Sequence, residues 1–184
     1  MIKTLFLLGS TGSIGKTTLN VVRKNKNKIK IKLLTTNNNI EKIIDQALEF
    51  NVKKIVIFSK KNFHKFEKII KKNKIQVFFS IDEALYKNKE KSSLTINAIS
   101  GIDGLAPTLN IIKHTKNIAI ANKESIICGW KLIKKELNIY QTKFIPLDSE
   151  HFSIWSLLKG ENIKNVNNIY LTASGGPFLN KNLK

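Results

Sequence analysis

The stretch that decides the fold is TLFLLGSTGSIG, residues 4–15. Its first part, Thr4–Leu8, is a short continuous apolar run, which predicts a buried parallel strand. The three glycines that follow have separate predicted uses. Gly9 permits a sharp turn off the strand, Gly12 leaves room for a pyrophosphate, and Gly15 lets the next helix pack closely. Free N–H groups at the start of that helix would point at the anion. The spacing G-x-x-G-x-x-G therefore predicts a dinucleotide-binding turn.

The rest of the chain alternates strands with helices. The further predicted strands are Ile29–Leu34, Lys54–Phe58, Ile75–Phe79, Leu94–Ala98, Ile118–Ala121, Phe144–Leu147 and Asn168–Thr172. The predicted helices are Ser13–Lys24, Ile40–Phe50, Asn62–Lys72, Ile81–Tyr86, Gly104–His114, Glu124–Leu137 and His151–Leu158. The apolar face of the first helix is expected to contain Ile14, Leu19, Val21 and Val22. This alternation predicts an α/β fold with a doubly wound parallel sheet over residues 1–147.

Composition excludes several classes of protein. Hydrophobic residues make up 42% of the 184 residues, which predicts a packed core instead of disorder. The net charge is +19, but Arg23 is the one arginine and the lysines are spread along the chain. Because arginine is the usual reader of base edges, we interpret the charge as compositional and predict no nucleic-acid partner. A basic nucleic-acid-binding protein is kept as a third hypothesis, which a steeply salt-dependent affinity for duplex DNA would support.

The sequence also indicates where the protein resides. No apolar run is long enough to span a bilayer, and no secretory signal pattern is present. The first predicted strand begins almost at Met1, which leaves no room for a cleavable transit peptide. The single cysteine, Cys128, excludes an internal disulfide and fits a reducing compartment. These features predict a cytoplasmic protein without a membrane partner.

A P-loop-type nucleotide-binding module is the second hypothesis. Residues 10–17 read STGSIGKT, one residue away from the pattern G-x-x-x-x-G-K-[ST]. Ser10 stands where the first glycine of that pattern belongs, and Gly9 comes one position too early. The acid after the predicted strand at 144–147, Asp148, could act as the magnesium-binding partner. Against this hypothesis, Lys16 would have to curl back over a loop with too few glycines.

The residues after the second strand bear on the choice of cofactor. In a dinucleotide fold this segment contacts the adenosine ribose, where an acid suits NAD and a basic or small polar residue suits NADP. Here the segment is TTNNN, residues 35–39. It has no acid, which favours NADP, but it has no Lys or Arg either, so the preference is mild.

Four later motifs follow predicted strands: NAISG with GLAPT at 97–108, ANKES at 121–125, PLDSEH at 146–151 and LTASGGPF at 171–178. In PLDSEH, Asp148 and Glu150 are two residues apart. Side chains at i and i+2 of an extended segment face the same way, so both acids could meet one cation. Carboxylate oxygens suit Mg²⁺ or Mn²⁺. Taken singly, each motif is also compatible with an ordinary loop.

Taken together and in this order, these motifs and GSTGSIG closely resemble the 1-deoxy-D-xylulose 5-phosphate reductoisomerase family, over essentially the whole chain. The resemblance implies an NADPH-binding Rossmann-like domain at 1–147 and the start of an α+β catalytic domain at 148–184. It implies an oxidoreductase of the non-mevalonate isoprenoid pathway. Such an enzyme rearranges 1-deoxy-D-xylulose 5-phosphate and reduces the product with NADPH to 2-C-methyl-D-erythritol 4-phosphate. The full-length enzymes of the family are expected to be homodimers.

The resemblance also implies roles for individual residues. The expected NADPH contacts are Thr11, Gly12, Ser13, Ile14, Asn37, Asn38, Asn39, Asn122 and Glu124. The expected substrate contacts are Lys123, Ser149, Glu150 and Ser174, of which Lys123 and Glu150 are also expected to be catalytic. Asp148 and Glu150 would hold the divalent metal, Mg²⁺ or Mn²⁺ with Co²⁺ as a further option. The metal would polarise the substrate carbonyl.

The sequence departs from the family pattern in two places. After the second strand the family usually has Gly, a basic residue and Asn, whereas this chain has Asn37-Asn38-Asn39, so a weaker hold on the 2′-phosphate is expected. Family enzymes are also much longer, and their third metal carboxylate, lid and phosphate pocket follow the SGGPF motif. We therefore expect residues 1–184 alone to bind NADPH weakly and not to turn over.

Overall fold

A computed structural model of the protein describes residues 2–61, 63–87 and 91–170. The chain divides into two compact units, Met1–Asp148 and Ser149–Lys184. The second unit contains a helix, α7, over Ser149–Leu157, and a 3-10 turn over Ile163–Asn165. None of the helices in the described ranges is both long and apolar enough to cross a bilayer.

The first unit is built on a parallel sheet. Its strands are β1 (Lys3–Leu8), β2 (Ile29–Thr36), β3 (Lys54–Ile57), β4 (Gln76–Phe78), β5 (Leu94–Asn97), β6 (Asn117–Ile120) and β7 (Lys143–Pro146). The seven strands lie in the order β4-β3-β2-β1-β5-β6-β7, and every neighbouring pair is parallel. The strand order reverses at β1, between β2 and β5. In doubly wound sheets, ligands bind beside the carboxyl ends of the strands at this switch point.

Helices cover both faces of this sheet. They are α1 (Ser13–Lys24), α2 (Ile40–Glu49), α3 (Glu67–Lys72), α4 (Ile81–Leu85), α5 (Leu105–Ile112) and α6 (Lys123–Tyr140). Short 3-10 turns, Phe63–Phe66 and Ile102–Gly104, precede α3 and α5. The α/β alternation predicted for the first unit is therefore confirmed, with most boundaries within two residues of the predicted ones.

The core has two layers, one on each face of the sheet. Leu5 and Leu7 of β1 belong to one buried cluster, whereas Phe6 and Leu8 belong to the other. Successive side chains of a strand point to opposite faces, and here both faces are covered. The continuous apolar run of β1 is therefore what a central strand in this sheet requires.

The predicted apolar face of α1 is partly wrong. The buried residues are Gly15, Leu19 and Val22, which follow one another at the i, i+4, i+7 spacing of a single helical face. Ile14 and Val21 are 46% and 53% exposed. These two residues are themselves seven positions apart, so they share a neighbouring face that the sheet does not cover.

Three other predicted elements differ from the structure. The helix predicted over Asn62–Lys72 is a 3-10 turn followed by the shorter α3, and the helix predicted from Gly104 begins as a 3-10 turn. The strand predicted over Asn168–Thr172 is wrong for its described part, because residues 168–170 form no strand. A strand needs a hydrogen-bonding neighbour, and none is found for this segment in the described ranges. Residues 171 and 172 lie outside those ranges.

Candidate dinucleotide-binding site

The glycine-rich turn has the tight geometry that its sequence predicts. Gly9 has φ +73°, and a Cβ there would lie 2.8 Å from the carbonyl oxygen of Ala98, the residue after β5. A Cβ on Gly15 would lie 2.6 Å from the carbonyl of Ser10 and closer still to that of Gly9. Both glycines are therefore required by the fold itself, because any side chain would collide with backbone. The predicted uses of Gly9 and Gly15 are confirmed.

Gly12 is different, because the fold does not require a glycine there. Its φ of −75° and ψ of 179° are open to any residue. A Cβ on Gly12 would make ordinary contact at 3.5 Å with the carbonyl oxygen of Gly9. Gly12 and the next two residues, Ser13 and Ile14, are exposed. A bare backbone at an exposed position that needs no glycine leaves room for a ligand to lie against it.

Gly12 is also the N-cap of α1, and it offers no side chain to the helix. Among the described residues, no side chain caps the helix here, and its first turn carries no acid. The first N–H groups of a helix have no partner inside the helix, and they carry a partial positive charge. This end of α1 therefore has the properties of an anion site, as predicted for a pyrophosphate.

The turn is tied to β2 and α2 by a buried polar network. Ser10 is fully buried, and its hydroxyl donates to Oε1 of Gln46 at 2.7 Å. Nε2 of Gln46 donates back to the carbonyl of Ser10 at 3.1 Å. The N–H of Gly9 donates to Oγ1 of Thr35 at 3.0 Å, and the hydroxyls of Thr11 and Thr36 lie 2.8 Å apart. These bonds hold the turn in place when no ligand is bound.

The role of Ser10 bears on the P-loop hypothesis. The residue standing where that pattern needs a glycine has a buried side chain that is committed to Gln46 on α2. Gln46 itself was not predicted. The sequence clue was a polar residue within the apolar face of α2, beside Ile43 and Ala47, all of them buried. The P-loop hypothesis is not supported.

The three asparagines predicted at the adenosine end follow β2 directly. Asn39 is the N-cap of α2, and its Oδ1 accepts a hydrogen bond from the N–H of Lys42 at 3.3 Å. Asn37 and Asn38 are exposed. Asn37 lines a cavity of about 440 Å³ that also contacts Phe58 and Ile99. The asparagines therefore lie at the carboxyl edge of the sheet, and their contact with a cofactor stays a prediction.

A pair of lysines beside this segment was not predicted. Lys16 lies in the first turn of α1 and Lys42 in the first turn of α2. The pKa of Lys42 is lowered, first by the close approach of the Lys16 side chain, then by loss of hydration and by repulsion from the same group. Neither lysine takes part in an ion pair with a described acid. Two adjacent cations repel each other, and an anion between them removes the repulsion.

The ANKES motif brings polar groups to the same edge of the sheet. Asn122, the N-cap of α6, is 6% exposed, and its Nδ2 donates to the carbonyls of Ile99 and Gly101. Its Oδ1 and the hydroxyl of Ser125 are buried without a hydrogen-bond partner in the described part of the chain. Lys123 and Glu124 are exposed. Buried acceptors without donors are rare, so they indicate a ligand or water at the start of α6.

Buried hydrogen bonds join the NAISG motif to the GLAPT motif. Asn97 is fully buried, and its Nδ2 donates to the carbonyl of Gly104 at 3.0 Å and to Oγ1 of Thr108 at 2.6 Å. Its Oδ1 accepts from the N–H of Ile99 at 3.0 Å. These bonds fix the loop after β5, which carries the carbonyls that Asn122 uses. The two motifs are therefore structural supports of the site.

The predicted metal residues follow β7 in the chain. Asp148 is half-buried and ends the first unit, while Ser149 and Glu150 are exposed and begin α7. The expectation of an extended segment is wrong, because Glu150 lies in the first turn of a helix. The hydroxyl of Ser149 donates to Oε2 of Glu150 at 2.9 Å. The described residues contain no group of three or more His, Cys, Asp or Glu that could hold a metal. Ser174 lies outside the described residues.

Comparisons with known proteins match almost the whole chain. The family model for 1-deoxy-D-xylulose 5-phosphate reductoisomerase matches residues 5–129. The model for the C-terminal domain of that enzyme matches residues 144–184. The reductoisomerase of Pelagibacter ubique is 50% identical over 184 residues, which cover 99% of this chain and 47% of that protein.

Solved structures show the same similarity. The reductoisomerase of Zymomonas mobilis in complex with NADPH has a TM-score of 0.88 and 31% identity, covering 99% of this chain and 48% of that one. A reductoisomerase in complex with magnesium has a TM-score of 0.83 and the same coverage. The chain thus spans about half the length of the curated relatives that it matches.

Proposed function

Since the chain belongs to the 1-deoxy-D-xylulose 5-phosphate reductoisomerase family, we propose that its first unit holds NADPH for that reaction. The whole protein would rearrange 1-deoxy-D-xylulose 5-phosphate and reduce the product to 2-C-methyl-D-erythritol 4-phosphate. The observation that carries the proposal is the bare backbone of Gly12 at the uncapped start of α1, beside the switch point of the sheet. The fold would accept a side chain at position 12, so the glycine there is explained by the space that a ligand needs.

The pyrophosphate of NADPH fits the start of α1. Thr11, Gly12, Ser13 and Ile14 are all at least partly accessible, and the turn is already held by Ser10 and Gln46. Preorganised N–H groups bind an anion without first having to be ordered. This chain therefore contributes a rigid backbone cradle, and its side chains in the turn are used to support that cradle.

The 2′-phosphate of NADPH needs positive charge that Asn37, Asn38 and Asn39 do not supply. We propose that Lys16 and Lys42 supply it. Asn39 caps the turn of α2 that carries Lys42, and the pair has no described acid to neutralise it. The lowered pKa of Lys42 reflects the closeness of the Lys16 side chain. A phosphate between the two ammonium groups would relieve the repulsion and favour NADPH over NADH.

At the other end of the cofactor, Asn122 and Glu124 are proposed to contact NADPH, and Lys123 to contact the substrate. The first turn of α6 supports this assignment, because the buried Oδ1 of Asn122 can accept a hydrogen bond from a bound N–H or O–H group. The loop carbonyls of Ile99 and Gly101 hold the Asn122 amide, so its orientation is fixed before any ligand arrives. When bound, the nicotinamide of NADPH would supply the hydride.

The remaining roles rest on the family match at residues 144–184. Asp148 and Glu150 are proposed as carboxylate ligands of Mg²⁺ or Mn²⁺, with Glu150 and Lys123 also catalytic. Ser149 and Ser174 are proposed to contact the substrate. Carboxylate oxygens suit a hard divalent cation, which often keeps water or substrate oxygens as its other ligands. When bound, such a metal supplies Lewis acidity to the substrate carbonyl.

The setting of the whole protein is also proposed. We infer a homodimer that acts in the cytoplasm, without nucleic-acid or membrane partners. The one cysteine of these 184 residues, Cys128, is free, which fits a reducing compartment. The family match supports the small phosphorylated substrate in place of a polymer partner.

NADPH titration followed by cofactor fluorescence tests the cofactor proposal. Gly12→Asp places a carboxylate where the pyrophosphate would lie, so we expect NADPH binding to be lost. Asn27→Asp adds the same charge to the exposed turn between α1 and β2, and it should bind like the unsubstituted chain. Equal affinity of Gly12→Asp and Asn27→Asp for NADPH would contradict the proposed cradle.

A further inference from the structure

A second cavity lies at the edge of the sheet opposite the glycine-rich turn. It has a volume of about 340 Å³ and forms where β1, β2 and β3 begin, next to Ser92 ahead of β5. All strands of a parallel sheet begin at the same edge. The length of the strands therefore separates this cavity from the dinucleotide site. Cavities of about 300 Å³ or more can hold a small molecule.

The lining of this cavity is unusually basic. Five of the eleven described residues that line it are lysines: Lys30, Lys32, Lys53, Lys54 and Lys91. Basic residues make up only 32 of the 184 residues of the chain, and no Asp or Glu is among these described lining residues. The buried Phe6 and Leu85, which belong to the same core cluster, add an apolar part. The cavity thus combines several positive charges with an apolar base.

Two of the five lysines have a partner within the protein. Nζ of Lys54 donates to the carbonyl of Ala84 at 3.2 Å, and Nζ of Lys91 donates to the carbonyl of Tyr140 at 2.5 Å. Ala84 and Tyr140 lie in the last turns of α4 and α6. The end of a helix carries partial negative charge and favours cations, so the fold itself accounts for these two lysines.

The fold does not account for Lys30, Lys32 and Lys53 in this way. All three are exposed, and none forms an ion pair with a described acid. Lys32 lies at an irregularity of the sheet, because Leu5 pairs with Ile31 and Phe6 with Leu33. Such a bulge is uncommon between parallel strands, and bulges often redirect a side chain beside a functional site.

We propose that this cavity binds a small organic ligand that carries two or more phosphate groups. Lysine binds phosphate as a point charge, and three lysines without a described acidic partner would each gain one in the complex. The buried Phe6 and Leu85 would contact the organic part of the ligand. The site depends on neither the dinucleotide cradle nor the metal residues, so it can be tested apart from the reductoisomerase reaction.

Calorimetric titrations with ADP and with inorganic tripolyphosphate test the proposal on the 184-residue chain. All titrations use the Gly12→Asp background, in which the dinucleotide cradle is blocked, because NADPH itself carries phosphate groups and would compete for the cavity. We expect one saturable site for each titrant and tighter binding of ADP, because only ADP has an apolar body. The double variant Lys30→Gln/Lys32→Gln should weaken binding by about tenfold, as expected when charge-assisted bonds are lost.

The matched control is Lys131→Gln/Lys135→Gln, which removes the same charge from exposed positions of α6. Its affinity should stay within about twofold of the unsubstituted chain, because diffuse charge contributes little at moderate salt. Lys53→Gln provides a second variant if the first double variant does not fold. Equal weakening by both double variants, or the absence of saturation, would overturn the proposal. So would a complex with an oligonucleotide that tripolyphosphate cannot displace.

Discussion

Substitution of Gly12 and of Gly15 should separate binding from folding. In Gly15→Ala the new Cβ would lie 2.6 Å from the Ser10 carbonyl and closer still to that of Gly9, so it must retreat by at least about 0.8 Å to reach the ordinary limit of 3.4 Å. The obstructing atoms are backbone, so α1 has to shift. Overpacking of this kind costs about 1–3 kcal/mol, and alanine regains up to about 1 kcal/mol through its better helix propensity. A net loss of about 1–2 kcal/mol is expected, which lowers Tm by roughly 2–8 °C in a chain of this size.

Gly12→Ser should behave in the opposite way. The backbone at Gly12 already has the extended conformation of an N-cap, and its Cβ would make ordinary contact at 3.5 Å. Serine is a better N-cap than glycine by a few tenths of a kcal/mol, so stability should hold or rise slightly. The new side chain would occupy the N–H groups and the space that a pyrophosphate needs. NADPH affinity should fall by about tenfold or more, which corresponds to roughly 1.4 kcal/mol.

Circular dichroism melts and NADPH titrations on the same two variants check this pair of predictions. The expected pattern is a destabilised Gly15→Ala and a stable Gly12→Ser that binds NADPH about tenfold more weakly or worse. The reasoning would be refuted by Gly12→Ser melting as early as Gly15→Ala, since that would make Gly12 a structural glycine. Unchanged NADPH affinity of Gly12→Ser would refute it equally.

Three further predictions concern single contacts. Gln46→Leu removes both hydrogen bonds between Gln46 and Ser10 and leaves the buried Ser10 hydroxyl only the longer bond to the Thr35 carbonyl at 3.3 Å. It should cost about 1–3 kcal/mol in urea unfolding, whereas adding Ser10→Ala should recover part of the loss. Lys42→Gln should raise the Kd for NADPH about fivefold, because it removes one exposed charge contact with the 2′-phosphate. The Kd for NADH should stay within about twofold, because NADH lacks that phosphate. Burial, followed by repulsion from Lys113, lowers the pKa of His114 below its ordinary value of 6.5, and attraction to Asp82 opposes this only in part. The unfolded chain therefore takes up a proton first, so stability should fall as the pH drops through 6.5. Thermal melts at pH 7.5 and 5.5 should show a smaller fall in Tm for His114→Gln than for the unsubstituted chain. An equal fall in Tm for the two proteins would count against this account.

Local features of the fold were predictable from the sequence. The turn from β1 to α1 was foreseen because it depends on glycines within seven consecutive residues, and α1 has the predicted bounds, Ser13–Lys24. The predictions were wrong where burial or conformation depends on which element a residue packs against. Ile14 and Val21 look as suitable for the core as Leu19 does, and only the position of the sheet leaves them exposed. Likewise, the helical start of α7 places Glu150 outside the extended segment that its spacing suggested.

The supports of the site could not be foreseen, because they join residues far apart in the chain. Gln46 reaches Ser10 across 36 positions, and Asn122 reaches Ile99 across 23. The pairing of Lys16 with Lys42 depends on α1 and α2 starting at the same edge of the sheet. That edge is shared because β1 and β2 are parallel, which is a property of the whole sheet. A sequence pattern can indicate a charged residue but not the neighbour that gives it a role.

The polarity of the parallel sheet connects the two proposed anion sites. At the carboxyl edge, helices begin, so backbone N–H groups carry the partial positive charge and glycine suffices. At the amino edge, helices end, so the backbone presents carbonyls and any anion site must be built from side chains. Lys54 and Lys91 bind those carbonyls and thereby cancel the local negative charge. With that charge cancelled, Lys30, Lys32 and Lys53 remain to bind an anion. Removal of Lys54 or Lys91 should therefore weaken tripolyphosphate binding, even though both lysines already have protein partners.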